Sequence, residues 1–318
     1  MIFAVSNRLP APAIELLREA GEVRIDERER AIPRADLLAL VAGAEAILTL
    51  LHDRVDEELL AAAGPQLRCV ANVAVGYDNV DVAAAERHGV VVTNTPGVLD
   101  DATADLTMAL ILAATRRLVE GDRLVRSGQP WSWGMGFMLG TSLQGKRLGI
   151  VGLGGIGTRV AERARAFGME IAYHSRHPAP AAAELEAERL LLPDLLAGSD
   201  VVSLHCPLTP ETHHLVGAEQ LAAMKPSAVL VNAARGPIVD EAALTRALAE
   251  RQIAAAGLDV FEREPEVEDG LLLLENAVLT PHLGSATVET RTAMAELAAR
   301  NAISVLRGQG PLTPVTAQ

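Results

Sequence analysis

Cysteine is scarce: the chain carries two, Cys69 and Cys206, among 318 residues. That excludes a disulfide framework and fits a reducing cytoplasm. Aromatic residues are few as well, at 3% of a chain that is 49% apolar, so Ala, Leu and Val must fill the interior. Such a composition suits buried strands and close-packed helices better than a sandwich or barrel. Positive charge is in deficit, with 28 Lys and Arg against 41 Asp and Glu and a net charge of −13. No basic stripe is on hand to neutralise nucleic-acid phosphates, although a locally positive site for a small anion is not excluded. Long apolar runs are missing as well. The most membrane-like stretch, Leu106 to Ala114, lies between Asp105 and Arg116-Arg117. It falls far short of the roughly 20 residues a span needs and reads as a buried helix. The N-terminus lacks a basic segment followed by an apolar core, so no export signal is expected.

What is present is alternation. Strands are expected at Ile2 to Val5, Val23 to Ile25, Ala46 to Leu50, Leu67 to Asn72 and Val90 to Thr93. Between them, Ala11 to Ala20, Arg34 to Val41, Asp56 to Ala63 and Val80 to Arg87 read as helices. One long helix is predicted from Asp101 to about Ser127, followed by an irregular arm, "GQPWSWGMGFMLGTSLQG", which holds both tryptophans. A second series begins at Arg147, with strands at Val201 to Leu204, Ala228 to Asn232, Ala254 to Leu258 and Val278 to Leu279. A helix from Glu289 to Leu306 follows, and the tail "GQGPLTPVTAQ" reads as an extension grading from ordered to frayed. The length admits two domains, each with its own core.

The second series opens with "RLGIVGLGGIGTRVAERARAFGMEIAYHSRHP". Leu148 to Val151 is a strand and Thr158 to Phe167 a helix. Gly152, Gly154 and Gly157 between them have G-x-G-x-x-G spacing, for a tight turn, close approach to a pyrophosphate, and helix–strand packing. The phosphates would sit on the N–H groups at the helix N-terminus. An NAD site should then present an acid about 20 residues on, at the end of the second strand. Here Glu170 to Tyr173 runs into His174-Ser175-Arg176-His177, with no acid. Ser175 can donate a hydroxyl and Arg176 a guanidinium fork to a 2′-phosphate, helped by His174 or His177 when protonated, so NADPH is expected ahead of NADH.

Ligands of open parallel sheets bind beyond the carboxyl ends of the strands. Arg235 follows "AVLVN", Asp259 ends "IAAAGLD", His282 follows "AVLTP", and Glu264 lies in the loop after Asp259. Reduction of an anionic 2-oxo acid needs such a set: an arginine fork for the carboxylate and ketone, and a histidine kept protonated by a carboxylate. Together "VGLGGIG", "HCPLTPET", "VNAARGPIVDEAAL", "AAGLDVFEREP" and "PHLGSAT" make a chain that resembles the D-isomer-specific 2-hydroxyacid dehydrogenases over nearly its whole length. "VAVGYDNVD" and "TNTPGVLDDATADL" are most similar to glyoxylate/hydroxypyruvate reductases within that family.

The resemblance implies two doubly wound parallel-sheet α/β domains with a cleft between them. Residues 1–98 and 286–318 would form a flavodoxin-like substrate domain. Residues 99–285 would form a Rossmann coenzyme domain, with a dimerisation helix and arm at about 101–145. It makes Arg235 the substrate arginine, Glu264 the carboxylate of a dyad and His282 the acid/base, with Leu51, Val75 and Gly76 on the substrate. It places Thr103, Gly152, Leu153, Gly154, Gly155, Ile156, Gly157, Ser175, Arg176, Cys206, Pro207, Thr212, Ala233, Asp259 and Gly284 on the coenzyme. A homodimer, NADP(H) with NAD(H) as the alternative, and no metal complete the expectation. After "EREP" the stretch "EVEDGLLLLEN" replaces the family's usual proline and HPL-type turn, so the path of that loop is open. Competing readings are that Glu264 is one member of a solvated acidic run, that Asp259 only braces loops, and that Trp131 and Trp133 only anchor packing. A lactate- or phosphoglycerate-type dehydrogenase is the alternative enzyme, and a non-catalytic dinucleotide sensor the alternative class.

Overall fold

A computed structural model describes residues 1–316, which divide into two compact units, Met1–Leu99 with the stretch from Ala286 onward, and Asp100–Ser285. The first series runs β1 (Ile2–Val5), α1 (Ala11–Ala20), β2 (Glu22–Ile25), α2 (Arg34–Val41) and β3 (Ala46–Thr49). It continues α3 (Glu57–Ala63), β4 (Cys69–Asn72), α4 (Val82–Arg87) and β5 (Val91–Thr93). Asp56 and Asp81 start α3 and α4 by accepting the amides of Leu59 and Ala84, the usual task of an N-cap carboxylate. Every residue of β3 and β4 is buried, as in a parallel sheet covered on both faces.

The second unit contains α5 (Asp100–Thr115), α6 (Leu118–Arg126), β6 (Arg147–Val151), α7 (Gly155–Ala166), β7 (Glu170–His174), β8 (Glu188–Arg189) and α8 (Leu192–Gly198). Then come β9 (Val201–Leu204), α9 (Ala218–Ala223), β10 (Val229–Asn232), α10 (Glu241–Ala249), β11 (Ala255–Leu258), α11 (Asp269–Leu272) and β12 (Ala277–Leu279). All seven strands are parallel, in the order β12-β11-β10-β9-β6-β7-β8. The sheet is covered on both faces, and alternation along each strand divides its side chains between two cores. Val202, Leu204 and Leu230 join the core with Leu195, Leu221 and Leu244. Val201, Val229 and Val231 join that of Ile111 and Val160. The order reverses between β6 and β9, which makes their carboxyl ends the switch point where a dinucleotide binds in such sheets.

The single helix expected from Asp101 to Ser127 is two. The break falls at Arg117, whose backbone is left-handed (φ 52°) and whose guanidinium pairs with Glu120 at 2.5 Å. The arm closes the end of α5, since the Thr141 amide donates to the Thr115 carbonyl at 2.9 Å. Helix α7 also starts three residues earlier than expected, because Gly155 and the last motif glycine, Gly157, lie inside its first turn. The two-residue strand β8 has no counterpart among the expected strands.

From Thr287, whose side chain accepts the Thr290 amide, the chain returns to the first unit as α12 (Val288–Leu306) and β13 (Pro314–Val315). The tail is thus partly strand, and its last two residues lie outside the described ones. Helix α12 packs on α1 and β4, and β13 pairs antiparallel with β5, completing the order β13-β5-β4-β3-β1-β2. The five parallel strands have the flavodoxin-like order 2-1-3-4-5.

Candidate active site

At the switch point of the second unit, Gly152 has φ 95°, and a β-carbon on it would meet the Cys206 nitrogen at 2.7 Å. The turns after β6 and β9 therefore touch, and only glycine permits the approach. Gly157 packs on the Gly152 carbonyl and Gly155 on the Asp100 carboxylate, whereas nothing lies within 4 Å of where a β-carbon of Gly154 would stand. That open side faces the beginning of α7, whose first amides have no acceptor within their own helix. The cradle suits a pyrophosphate held by Gly154, Gly155, Ile156 and Gly157.

Leu153 is buried, and its amide donates to Ser175 Oγ at 3.1 Å. The hydroxyl of Ser175 keeps its own proton to give. Arg176 is exposed, and its charge helps hold the Glu211 carboxyl below its ordinary value, behind hydrogen bonds from Thr209 and the Glu211 backbone. His174 Nδ1 lies 3.0 Å from the Leu190 carbonyl, which commits that ring to the scaffold, while His177 is exposed. Arg189, which sequence reasoning did not single out, donates from Nη2 to the carbonyls of Ser175 (3.0 Å) and Arg176 (2.8 Å). It braces the turn from β8, a link that only the β7–β8 pairing reveals.

The turn after β9 is locked by Thr212, whose Oγ1 donates to the Pro207 carbonyl at 2.7 Å and accepts the Thr209 amide at 2.8 Å. Burial pushes the Cys206 thiol up to about 11 and the His205 imidazole down to about 4. His205 Nε2 rests 2.8 Å from Ser203 Oγ. After β10, buried Asn232 latches the next turn, donating to the Arg235 carbonyl (2.9 Å) and accepting the Ala234 amide (3.1 Å). Ala233 and Arg235 are half-buried in that turn.

Asp259 is 1% exposed and wholly engaged. Its Oδ1 accepts the Leu283 amide (2.7 Å) and the Thr280 hydroxyl (2.6 Å), and its Oδ2 accepts the Gly284 amide (2.8 Å). Gly284 in turn lies beside Thr103 of α5. These bonds shape the turn that carries His282, itself left-handed at φ 54°. His282 Nδ1 stands 2.9 Å from Glu264 Oε2, with side chains 25% and 30% exposed. Burial pushes the Glu264 carboxyl up, but the hydrogen bond and charge of His282, the Phe261 amide and the Arg235 charge outweigh it and hold the group below its ordinary value. Arg235, Asp259 and His282 follow adjacent parallel strands, so all three leave the sheet at the edge that carries the glycine turn. The loop after Pro265, left open by the sequence, forms α11 and buries Leu271.

In the first unit, Leu51 follows β3 and is 38% exposed. Val75 and Gly76 follow β4. The Ala74 carbonyl accepts the Thr95 amide, the Val75 carbonyl accepts Asn94 Nδ2, and the Gly76 carbonyl accepts Asn72 Nδ2. Because a trans peptide points its N–H opposite its C=O, the amides of Val75 and Gly76 are turned away from those partners. In the arm, Trp131 stacks on Phe137 with ring centroids 5.9 Å apart, and Trp133 is 78% exposed. Among the described residues no group of His, Cys, Asp and Glu is placed to hold a metal, and no helix is long and apolar enough to cross a membrane.

A glycine turn at a Rossmann switch point, with an imidazole–carboxylate pair on the same edge, defines a dinucleotide-dependent oxidoreductase. Residues 108–284 match the NAD-binding domain of the D-isomer-specific 2-hydroxyacid dehydrogenases, and the chain belongs to that family. It is 50% identical to a glyoxylate reductase of Pyrococcus furiosus, over 98% of this chain and 94% of that one. A solved protein of Thermus thermophilus superposes with a TM-score of 0.93 at 47% identity, covering 99% of this chain and all of the other. An NADPH-dependent glyoxylate/hydroxypyruvate reductase of Sinorhizobium meliloti, solved with NADP and malonate, gives 0.86 at 37% identity, over 99% and 96% of the two chains.

Proposed function

We propose that this chain reduces glyoxylate, and hydroxypyruvate with it, to glycolate and D-glycerate, drawing on NADPH in preference to NADH. The observation that carries the reading is the 2.9 Å pairing of His282 with Glu264 on the sheet edge that also presents Arg235. When bound, the dihydronicotinamide supplies a hydride to the carbonyl carbon of the substrate. Arg235 binds the substrate carboxylate and polarises the 2-oxo oxygen. Glu264 occupies Nδ1 of His282, so Nε2 is the nitrogen that delivers a proton to the oxygen as it gains charge. Atoms balance: the 2-oxo carbonyl, hydride and proton give the alcohol, and the imidazole is left neutral.

The coenzyme preference is supported by the missing acid after β7 and by Ser175 and Arg176 in its place. Residues 99–285 serve as the coenzyme domain, and 1–98 with 286–318 as the substrate domain. The arm exposes Trp131, Trp133, Met135 and Leu139. A partner copy burying them as a homodimer explains that surface better than solvation does. Two unpaired cysteines suit a reducing cytoplasm.

The test is a steady-state assay of glyoxylate, hydroxypyruvate, pyruvate and phosphohydroxypyruvate, each with NADH and with NADPH. Highest kcat/KM for glyoxylate with NADPH is expected. Preference for NADH overturns the coenzyme assignment, preference for pyruvate or the phosphorylated acid overturns the substrate, and absence of turnover overturns the catalytic reading.

A further inference from the structure

Helix α10 begins at Glu241, a carboxylate only 8% exposed that the reaction above does not use. Its Oε2 accepts the Glu262 amide at 2.8 Å and its Oε1 accepts the Glu268 amide at 2.7 Å. Glu262 returns the bond, its Oε2 accepting the Glu241 amide at 3.2 Å while its Oε1 lies 3.0 Å from His214 Nε2. One buried side chain thus grips the loop after β11 on both sides of Glu264, two residues before it and four after. Inside that grip the Glu264 carboxylate is aimed by its own loop, because Oε1 accepts the Phe261 amide at 3.0 Å and Oε2 meets His282. Gly236 completes the clamp. A β-carbon there would collide with the Phe261 carbonyl, so the turn bearing Arg235 and the loop bearing Glu264 press on each other directly.

We propose that Glu241 is a positioning residue that holds Glu264 within reach of His282. It touches neither substrate nor coenzyme. Two carboxylate oxygens accept two half-buried amides, and this fixes the loop where its length and its four glutamates would leave it adaptable. The further charge acting on Glu264 is that of Arg235, and the Asp259 carboxylate is occupied by the turn that carries His282. The inference rests on the reading of Glu264 and His282 as the proton-delivering pair.

The experiment compares Glu241→Gln, Glu264→Gln and the double variant, as the full chain, by kcat/KM for glyoxylate with NADPH against pH, coenzyme dissociation constant and thermal midpoint. In Glu241→Gln one acceptor oxygen becomes an NH2 that faces an amide, so one grip is lost. Its kcat is expected to fall about 10- to 100-fold through misplacement of Glu264. The basic limb of its profile is expected to move to lower pH, toward that of Glu264→Gln, with coenzyme affinity retained. In the double variant the Glu241 substitution should add no further displacement, since the group it positions is gone. If Glu241→Gln does not fold, Glu241→Asp, with both oxygens held one methylene short, should move the limb in the same direction. A limb that stays at the wild-type pH while activity only tracks the folded fraction overturns the positioning role. If Glu264→Gln also leaves the limb unmoved, the dyad itself is wrong and the inference falls with it.

Discussion

The hydrogen bond and charge of His282 hold the Glu264 carboxyl below its ordinary range, so a negative charge stands against the imidazole. Glu264→Gln removes the charge, so in a pH series of the reductive reaction the basic limb is expected at lower pH than in wild type. His282→Ala removes the proton donor, and kcat should drop by about 10²- to 10⁴-fold. Near-normal turnover in that variant would end the assignment. Arg176 is a separate matter, because its proposed partner is the coenzyme. Arg176→Ala should weaken NADPH by about 1.5–3 kcal/mol, the worth of a hydrogen bond to a charged group, and NADH far less. Equal losses in a titration with each coenzyme would assign Arg176 to the shared part of the dinucleotide. Of these side chains, Arg235, Glu264 and His282 are legible in the sequence because each sits in a motif at the end of a recognisable strand. Arg189 is not legible, since its brace depends on a two-residue strand that no periodicity announces. Nor is the full engagement of Asp259, which depends on how the turn after β12 folds back over β11.

Elements follow the same division. Strands β9, β10 and β11 are buried throughout, and runs of β-branched and small apolar residues mark them unmistakably. The break between α5 and α6 has no such mark. No Gly or Pro stands at Arg116-Arg117, and the arm reaching back to the Thr115 carbonyl supplies the reason from a distance of 26 residues along the chain. The start of α7 is misread for the opposite cause: helix-poor glycines occupy its first turn because close approach matters more there than propensity. Gly152 is the sharpest case, with a positive φ and another backbone where a β-carbon would go. Gly152→Ala is therefore expected to cost about 1–3 kcal/mol of stability, read as a lower denaturation midpoint, and to weaken both coenzymes alike. A fully stable variant with intact coenzyme binding would show that the turn can relax.

At the scale of the molecule, the arm and α6 carry an apolar surface that a lone chain leaves in water, with Leu118, Val125, Trp133 and Met135 all more than half exposed. Sedimentation at micromolar concentration should give twice the 33.5 kDa chain mass, and replacing Trp131 and Trp133 by Ser should shift the equilibrium toward single chains. A wild-type monomer under those conditions would remove the dimer from the account. The path of the chain has a consequence for how it is made. The second unit is contiguous in sequence and has all its strands once Ser285 has been synthesised. The first unit begins earlier and finishes later, because α12 covers α1 and β4 and β13 closes the edge at β5. On the ribosome its five parallel strands emerge before the second unit and wait, one face covered by α1 without α12, through the translation of nearly two hundred residues. Of the two units, the one that begins first is thus the last to be sealed, and a chaperone or a slow codon would have its effect in that interval.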